Sequence, residues 1–344
     1  VTRFLFGLLV LAFATRLLIV AFLSRLLILI LALVLALATL LLLLLAVGVL
    51  IALSWAPDLP LAQLKARWAP APSQFIELQG MSVHLRDEGP RDDPTPLLLL
   101  HGTSASLHTW DGWTQALKER RRVIRVDLPG FGLTGPFPDG NYRMAHYTAF
   151  ITGLLDALGV QQVVLVGNSL GGQIAWETAR AYPQRVSKLI LVDAAGFPLN
   201  STSVPIGFQL ARIPALATVL SKVLPRPMIE SSLRNVYGNP ERVTPPLVER
   251  YYELSLREGN RAALIQRFSQ RDDPTLNPER ISQLSVPTLI LWGGRDRLIP
   301  PANARLFNAA IKDSQLQMFE LLGHVPQEED PAATVAAVEA FLSR

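Results

Sequence analysis

The chain has 344 residues, of which half are hydrophobic, with a formal net charge of +4 and no cysteine. This length admits one large α/β domain with an appendage, or two ordinary domains. The absence of cysteine excludes disulfides, thiolate metal sites and a cysteine nucleophile. The densest basic cluster, residues 118–125, is short and typical of a solvated helix end, so we expect no nucleic-acid partner.

The hydrophobic residues are concentrated near the N-terminus. Residues 26–55 contain no charged side chain, and about 20 apolar residues suffice to cross a bilayer. A cleaved signal sequence has a shorter apolar centre of roughly 7–15 residues. We therefore expect residues 1–55 to form a hydrophobic segment that contains an uncleaved transmembrane helix over residues 26–53.

Basic residues predict the orientation of this anchor. Arg3, Arg16 and Arg25 precede the span, and basic residues favour the cytoplasmic side of a membrane. We expect an anchor in contact with the lipids of a bacterial inner membrane, with the rest of the chain outside the cytoplasm. The apolar stretch 4–15 is too short to span easily and is expected at the interface. If it crossed as well, the topology would invert.

The remainder of the chain alternates between strand-like and helix-like segments. Residues 56–72 contain four prolines and predict a semi-rigid linker with a short helical piece. Gln79-Gly80 separates two strand-like runs and predicts a hairpin, and five later apolar runs are typical of strands buried on both faces. The alternation predicts an α/β fold, with a mostly parallel sheet and helices on both faces, made of residues 73–196 and 286–344.

One interval interrupts this alternation. Residues 197–285 contain amphipathic stretches punctuated by proline, and no run there resembles a buried strand. We expect these residues to form a helical insertion, here called the cap, over the carboxyl edge of the sheet. Open α/β sheets hold their substrate clefts at that edge.

A serine lies among glycines where a strand-like run gives way to a helix-like run. Residues 167–171, Gly-Asn-Ser-Leu-Gly, fit the pattern G-x-S-x-G. In that context the serine sits on a sharp, strained turn with its hydroxyl clear of the sheet. The helix N-terminus at this point favours developing negative charge. The alternative is a glycine-rich helix cap with an incidental serine, but the flanking strand and helix favour Ser169 as a nucleophile.

A serine nucleophile needs a base, and the base needs an acid. His324 follows an apolar run in a loop and is the predicted base. Asp296 follows a strand-like run and a Gly-Gly turn, and is the predicted acid. Asp193, at the end of another strand-like run, is its rival.

The developing oxyanion needs two donors. The backbone N–H of Leu170, directly after the serine, and that of Thr103, in the loop after the first buried strand, are the predicted donors. No cluster of histidine and carboxylate residues shows metal-ligand spacing, and no nucleotide-binding loop is present. We therefore expect no metal and no other cofactor.

The other four histidines are expected to have structural roles or to lie beside the cleft. His84 falls in an alternating strand and His146 on a helix face, so both are predicted to be structural. We expect His101 to hold the shape of its loop, and His108 to line the cleft.

From residue 73 to residue 344 the chain resembles the α/β-hydrolase superfamily. The resemblance rests on five segments in family order: HGTSASLHTW, DLPGFGLTG, VGNSLGG, GGRDRLIP and GHVPQEEDP. It implies a serine hydrolase with Ser169 as nucleophile, Asp296 as acid and His324 as base, and with Thr103 and Leu170 as oxyanion donors. The implied subgroup is capped and similar to esterases and lipases. Its substrate would be a small-molecule carboxylic ester. The apolar cap and the anchor together favour a lipophilic one.

Two alternatives stay open. The same capped subgroup includes hydrolases that cleave carbon–carbon bonds in ring-fission products. The alternative of another class is a binding protein that keeps the hydrolase fold without turnover, and the intact set of serine, aspartate and histidine argues against it. Ser169 also argues against epoxide hydrolases and haloalkane dehalogenases, whose nucleophile is an aspartate.

Overall fold

The structure is a computed structural model that describes residues 2–198, 200–270 and 278–344. The chain divides into two compact units, Val1–Trp55 and Ala56–Arg344. The predicted domain bounds within the second unit stay predictions, and residues 199 and 271–277 of the predicted cap lie outside the described part of the chain.

The first unit consists of one helix, α1 (Thr2–Leu53). Its large apolar side chains are exposed from Phe4 to Leu53, and this stretch is long and apolar enough to cross a membrane. The sequence separates a short interfacial stretch from the span, whereas the structure joins them in one helix. Arginine is a good helix former, so Arg16 and Arg25 do not interrupt it. At 1.5 Å per residue α1 is about 78 Å long, well beyond a bilayer core of about 30 Å.

The second unit is built around one eight-stranded sheet. Its strands are β1 (Ser73–Leu78), β2 (Met81–Glu88), β3 (Leu97–Leu100), β4 (Val123–Val126), β5 (Val163–Asn168), β6 (Val186–Val192), β7 (Thr288–Gly293) and β8 (Gln315–Phe319). They lie in the order β1-β2-β4-β3-β5-β6-β7-β8. The predicted hairpin pairs β1 with β2, and β2 runs antiparallel to β4. The remaining pairs are parallel, as predicted.

Helices surround the sheet and fill the interval between β6 and β7. They are α2 (Leu61–Trp68), α3 (Asp111–Leu117), α4 (Met144–Ala157), α5 (Leu170–Ala181), α6 (Ile206–Leu210), α7 (Ala217–Leu220), α8 (Arg226–Val236), α9 (Pro245–Ser255), α10 (Asn260–Ser269), α11 (Pro278–Ser282), α12 (Ala302–Ala310), α13 (Pro326–Glu329) and α14 (Pro331–Leu342). Between β6 and β7 the described residues contain helices and turns and no strand.

The central strands are buried on both faces. In β3, Leu98 and Leu100 belong to one apolar cluster, while Leu97 and Leu99 belong to another on the opposite face. Helices α4, α5 and α12 contribute to the first cluster, and α3 and α14 contribute to the second. Burial on both faces explains why these strands are continuous apolar runs in the sequence.

The parallel strands bring distant segments to one edge of the sheet. Ser169 directly follows β5, Asp193 follows β6, and Asp296 lies three residues beyond β7. His324 lies five residues beyond β8, and Gly102 lies in the loop after β3. Because parallel strands share a carboxyl edge, residues far apart in sequence meet there.

The two units predict a clear outcome for a shortened protein. Residues 56–344 contain their own sheet and apolar clusters, so we expect them to fold without residues 1–55. The shortened protein should remain in the soluble fraction and unfold cooperatively, because the exposed apolar surface of α1 is gone. The full chain should sediment with membranes until detergent is added. Recovery of the full chain in the soluble fraction would contradict this expectation.

Candidate active site

The turn between β5 and α5 places Ser169 in a conformation that few residues adopt. Its backbone has φ 56° and ψ −114°, outside the regions that L-residues favour. A Cβ at Gly167 would lie 2.1 Å from the carbonyl oxygen of Gly171, and one at Gly171 would lie 2.3 Å from that of Leu100. Only glycine fits at these two positions. Their contacts hold the serine in its strained conformation at the start of α5.

His324 and Asp296 form a hydrogen-bonded pair. His324 Nδ1 lies 2.7 Å from Asp296 Oδ2, and the two residues are 4% and 3% exposed. The backbone N–H groups of Leu298 and Ile299 donate to Asp296 Oδ1 over 2.8 and 2.9 Å. A carboxylate that accepts these bonds fixes the hydrogen of the imidazole on Nδ1, which leaves Nε2 free to accept a proton.

Ser169 and His324 line the same cavity. No hydrogen bond joins the Ser169 hydroxyl to the imidazole, and catalytic hydrogen bonds are often long in the absence of substrate. The side-chain amide of Asn168 connects the two loops, because Nδ2 donates to the carbonyl oxygens of Val192 and His324 over 3.1 and 2.9 Å. Sequence reasoning assigned no role to Asn168, although it lies inside the G-x-S-x-G motif.

The rival acid, Asp193, hydrogen bonds to Asp296 and not to the imidazole. Its Oδ1 accepts the N–H of Gly293 over 3.0 Å, and its carboxyl shares a hydrogen bond with Asp296. Burial, followed by the negative charge of Asp296, raises the pKa of Asp193 well above its ordinary value. The raised pKa favours the neutral form of Asp193, which is able to donate a hydrogen bond to the carboxylate that pairs with His324.

Asp193, Asp296 and His324 form a cluster that sequence spacing did not reveal. One ligand-type atom from each lies within 4.8 Å of the other two. The cluster was missed because its members lie on separate loops, more than 100 residues apart at the extremes. The hydrogen bond from His324 to Asp296 already engages two of the facing atoms with one another. A metal site needs all of its ligands deprotonated, and the raised pKa of Asp193 disfavours this.

Both predicted oxyanion donors lie at the cavity. Thr103 and Leu170 line it, and among the described residues neither backbone N–H donates to a protein acceptor. A Cβ built at Gly102 would lie 3.1 Å from that of Ser169, so the loop after β3 packs directly beside the serine. The two N–H groups are available to an oxyanion next to Ser169. Their catalytic use stays a prediction.

Glu329 holds the loop of His324 in place. One carboxylate oxygen accepts the N–H of Gly323 over 2.7 Å, and the other accepts that of Gly238, from the cap, over 2.9 Å. The N–H of His324 itself donates to the carbonyl oxygen of Val236 over 2.7 Å. Burial raises the pKa of Glu329 despite these hydrogen bonds, which favour the charged form. Sequence reasoning missed this residue, although it lies in the segment GHVPQEEDP.

Two of the remaining histidines hold loops near the site. His101 is buried, with Nδ1 2.7 Å from the carbonyl oxygen of Gly102 and with Nε2 accepting the N–H of Leu128 over 2.9 Å. It shapes its loop as expected, and burial lowers its pKa. The expectation that His108 lines the cleft is wrong. Its turn directs the ring away from the cavity, so that Nε2 lies 2.9 Å from the carbonyl oxygen of Trp68.

A second serine–histidine–aspartate arrangement lies away from the cavity. His84 Nδ1 is 2.7 Å from Asp127 Oδ2, and His84 Nε2 is 2.9 Å from Ser73 Oγ. Arg86 Nε also donates to Ser73 Oγ over 2.9 Å. Burial alone would raise the pKa of Asp127, but His84 holds it well below the ordinary value. Ser73 does not line the main cavity, so this arrangement fastens β1 to the sheet, as the structural role expected for His84 requires.

The main cavity has a volume of about 300 Å³ and extends from Ser169 into the cap. Its wall is mostly apolar, and the cap contributes Phe208, Leu220, Leu224, Leu233 and Leu264. Polar groups lie both around Ser169, which is only 9% exposed, and in the cap, where Arg212, Arg261 and Arg267 line the cavity. A small-molecule site of this kind orients a largely apolar ligand by a few polar groups.

The raised pKa of Asp193 leads to a prediction about stability. The folded pKa is raised, so above the unfolded value of about 4 the unfolded chain releases a proton that the folded chain keeps. The free energy of unfolding then falls with rising pH, by at most about 1.4 kcal/mol per unit, until the folded pKa is reached. Asp193→Asn lacks this term, keeps a donor to Asp296 and tolerates the positive φ of 44°.

Urea unfolding at pH 5 and pH 8 measures this effect. The stability of Asp193→Asn relative to wild type should increase from pH 5 to pH 8. Asp193→Ala should show the same trend with pH. It should be less stable than Asp193→Asn by about 1–3 kcal/mol at both pH values, because Gly293 and Asp296 lose a hydrogen-bond partner. A difference between Asp193→Asn and wild type that does not change with pH would show that Asp193 is ionised in the folded protein.

Comparison with known proteins places this geometry in a family. A family model described as the alpha/beta hydrolase fold matches residues 95–331. A 2-hydroxy-6-oxo-2,4-heptadienoate hydrolase of Pseudomonas putida is 30% identical over 272 residues, which cover 77% of this chain and 94% of that protein.

Solved structures agree with this match. A meta-cleavage product hydrolase from Pseudomonas fluorescens is 27% identical with a TM-score of 0.68, covering 78% of this chain and 97% of its own. A bacterial membrane phospholipase A is 26% identical with a TM-score of 0.68, covering 89% of this chain and 97% of its own. The fold, the edge of the sheet at which the site lies and the family match lead to one conclusion: the chain belongs to the α/β-hydrolase fold family.

Proposed function

We propose that this hydrolase cleaves lipophilic carboxylic esters through an acyl-enzyme formed on Ser169. The observation that carries the proposal is the shared cavity, which has Ser169 and the His324–Asp296 pair at one end and an apolar wall beyond them. Such a cavity accommodates an acyl chain while its carbonyl carbon lies beside the serine. No step of this reaction requires a cofactor.

In the proposed reaction Ser169 Oγ attacks the ester carbonyl carbon while His324 Nε2 takes the hydroxyl proton. The carboxylate of Asp296 stabilises the imidazolium, and the N–H groups of Leu170 and Thr103 hydrogen bond to the oxyanion. His324 then gives the proton to the departing alkoxide, which leaves as the alcohol. Water attacks the acyl-enzyme by the same route, releasing the carboxylic acid and restoring Ser169.

Two further observations favour an ester found in a membrane. The long apolar helix α1 is able to hold the enzyme at a bilayer, where lipophilic esters are concentrated. A similar structure that covers 89% of the chain is a bacterial membrane phospholipase A. We include the acyl esters of phospholipids among the proposed substrates for this reason.

The second candidate function is hydrolysis of a carbon–carbon bond in a ring-fission product. The heptadienoate hydrolase of Pseudomonas putida and the meta-cleavage product hydrolase of Pseudomonas fluorescens favour it by their similarity. The same relay of serine, histidine and aspartate would serve both reactions. Such substrates are usually cytoplasmic acids, which fits poorly with a catalytic unit outside the cytoplasm.

One assay series separates the candidates. The purified full chain in detergent is tested with 4-nitrophenyl esters of graded chain length and with a panel of ring-fission dienoates. We expect turnover of the esters, rising with chain length up to the capacity of the cavity. Turnover of the dienoates alone would transfer the assignment to the second candidate.

Ser169→Ala is the matched control for this series. We expect it to lower kcat by about 10³-fold or more, because the acyl-enzyme no longer forms. A fluorophosphonate probe should label wild type but not this variant. Equal turnover by wild type and Ser169→Ala would end the proposal, and an unlabelled wild type without turnover would indicate an inactive binding protein.

We also propose that α1 anchors the enzyme in the inner membrane of a bacterium, with residues 56–344 outside the cytoplasm. The motivating observation is that Arg16 and Arg25 precede the uncharged part of α1. Protease added to spheroplasts should then digest residues 56–344, and mass spectrometry of the intact protein should find residues 1–55 still attached. Protection from protease until the cells are lysed would place the enzyme on the cytoplasmic side instead.

A further inference from the structure

The charged residues of the catalytic cavity are of one sign. Three arginines of the cap line it, Arg212, Arg261 and Arg267, whereas no aspartate or glutamate is among its described lining residues. The guanidinium groups of Arg212 and Arg267 lie 5.5 and 5.6 Å from the centroid of the Phe268 ring. An otherwise apolar cavity with cationic groups in its wall favours a ligand that is apolar and negatively charged.

Arg261 is the most buried of the three arginines. It is 6% exposed and its Nη2 donates to Asp58 Oδ1 over 2.7 Å. Asp58 is shared, because Lys222 Nζ donates to its other oxygen over 3.0 Å. Burial raises the pKa of Asp58, but hydrogen bonds from Arg261 and Lys222 outweigh that effect and keep the pKa below its ordinary value. One carboxylate therefore faces two cations, and the group of three carries a net charge of +1.

Two donors of Arg261 have no acceptor among the residues that the structure describes. Nε and Nη1 are buried and make no hydrogen bond. Arg261 is also the second residue of α10, where the partial positive charge of the helix N-terminus opposes a cation. A buried guanidinium in this position is electrostatically unfavourable unless further negative charge is supplied. The first turn of α10 contains no acidic residue that would supply it.

We propose that Arg261 binds an oxyanion group of the ester substrate, a phosphate or a carboxylate, through the donors that the protein leaves unused. This inference rests on the proposed esterase function and narrows its substrates to anionic amphiphilic esters. The charged group lies at the cap end of the cavity while the ester carbonyl lies at Ser169. Arg261 is then a specificity-determining residue, and its ion pair with Asp58 holds the guanidinium in the wall.

The oxyanion has two possible sources, and matched ester pairs distinguish them. For a phosphate on the alcohol side, the pair is 1-octanoylglycerol 3-phosphate and 1-octanoylglycerol. For a carboxylate on the acyl side, the pair is mono-4-nitrophenyl suberate and 4-nitrophenyl octanoate. The readout is the ratio of kcat/KM for the anionic member to that for the neutral member. We expect wild type to favour the anionic member of one pair by about 10-fold or more, as a charge-assisted hydrogen bond implies.

Substitution of Arg261 tests the assignment. Arg261→Gln should bring the preferred ratio close to one. If Arg261→Gln is unstable because Asp58 loses this partner, the double variant Asp58→Asn/Arg261→Gln also removes the carboxylate. The double variant should bring the ratio close to one as well. The matched control is Arg226→Gln, because Arg226 lies in the cap, pairs with Glu249 over 3.0 Å and does not line the cavity. This variant should keep the ratio of wild type.

Failure of this inference is distinguishable from failure of the esterase function. One outcome is that esters are hydrolysed while both ratios are near one in wild type, or are unchanged in the Arg261 variants. In either case Arg261 does not discriminate between anionic and neutral esters, and the esterase function stands. If no ester is hydrolysed, equilibrium binding to Ser169→Ala decides. Tighter binding of 1-octanoylglycerol 3-phosphate than of 1-octanoylglycerol, lost in Ser169→Ala/Arg261→Gln, supports the subsite, and equal binding overturns it.

Discussion

The site depends on a steric constraint between one strand and the helix that follows it. Strand β5 and helix α5 pass so closely that a Cβ has no room at Gly167, and α5 lies so close to the end of β3 that a Cβ has no room at Gly171. The chain between them has to turn within two residues, which forces Ser169 into its positive φ. The strain is thus maintained by packing in the centre of the sheet, where α5 contacts β3, β5 and β6. The position of the hydroxyl is as rigid as the core beneath it.

The charged and polar groups at the edge of the sheet are arranged around this rigid turn. Four parallel strands deliver the serine, two aspartates and the histidine to neighbouring loops. Burial and the charge of Asp296 raise the pKa of Asp193, which favours a single negative charge beside the imidazole. Two backbone N–H groups fix the other oxygen of Asp296. Burial makes each of these interactions stronger than it would be in water, and leaves little freedom for other arrangements.

The fold, the turn at Ser169 and the pairing of His324 with Asp296 were predictable from sequence because their signals are local. A strand buried on both faces is a short apolar run, and a strained serine turn needs glycines at fixed spacing, as at Gly167 and Gly171. The pairing of Asp193 with Asp296 was not accessible, since it depends on two loops that meet only in the folded sheet. The roles of Glu329 and Arg261 were missed for the same reason.

The N-terminal helix illustrates the limit of composition as a guide. Charges at Arg16 and Arg25 separate the apolar stretches in a hydropathy reading, yet they do not end a helix, because arginine costs little helical propensity. Hydropathy reports which residues lipids accept, and the helix bounds report which residues propagate backbone hydrogen bonds. The two criteria agree only when a charged residue also breaks the helix.

The carboxylate of Glu329 joins the loop of the base to the cap, since it accepts N–H groups from Gly323 and Gly238. The N–H of His324 bonds to Val236, at the end of α8. Lifting that end of the cap would draw the imidazole away from the serine. In the proposed reaction Ser169 would then lack its base while the cap is raised, so bond cleavage would be confined to the closed form. Water that enters the raised form would not be activated by His324.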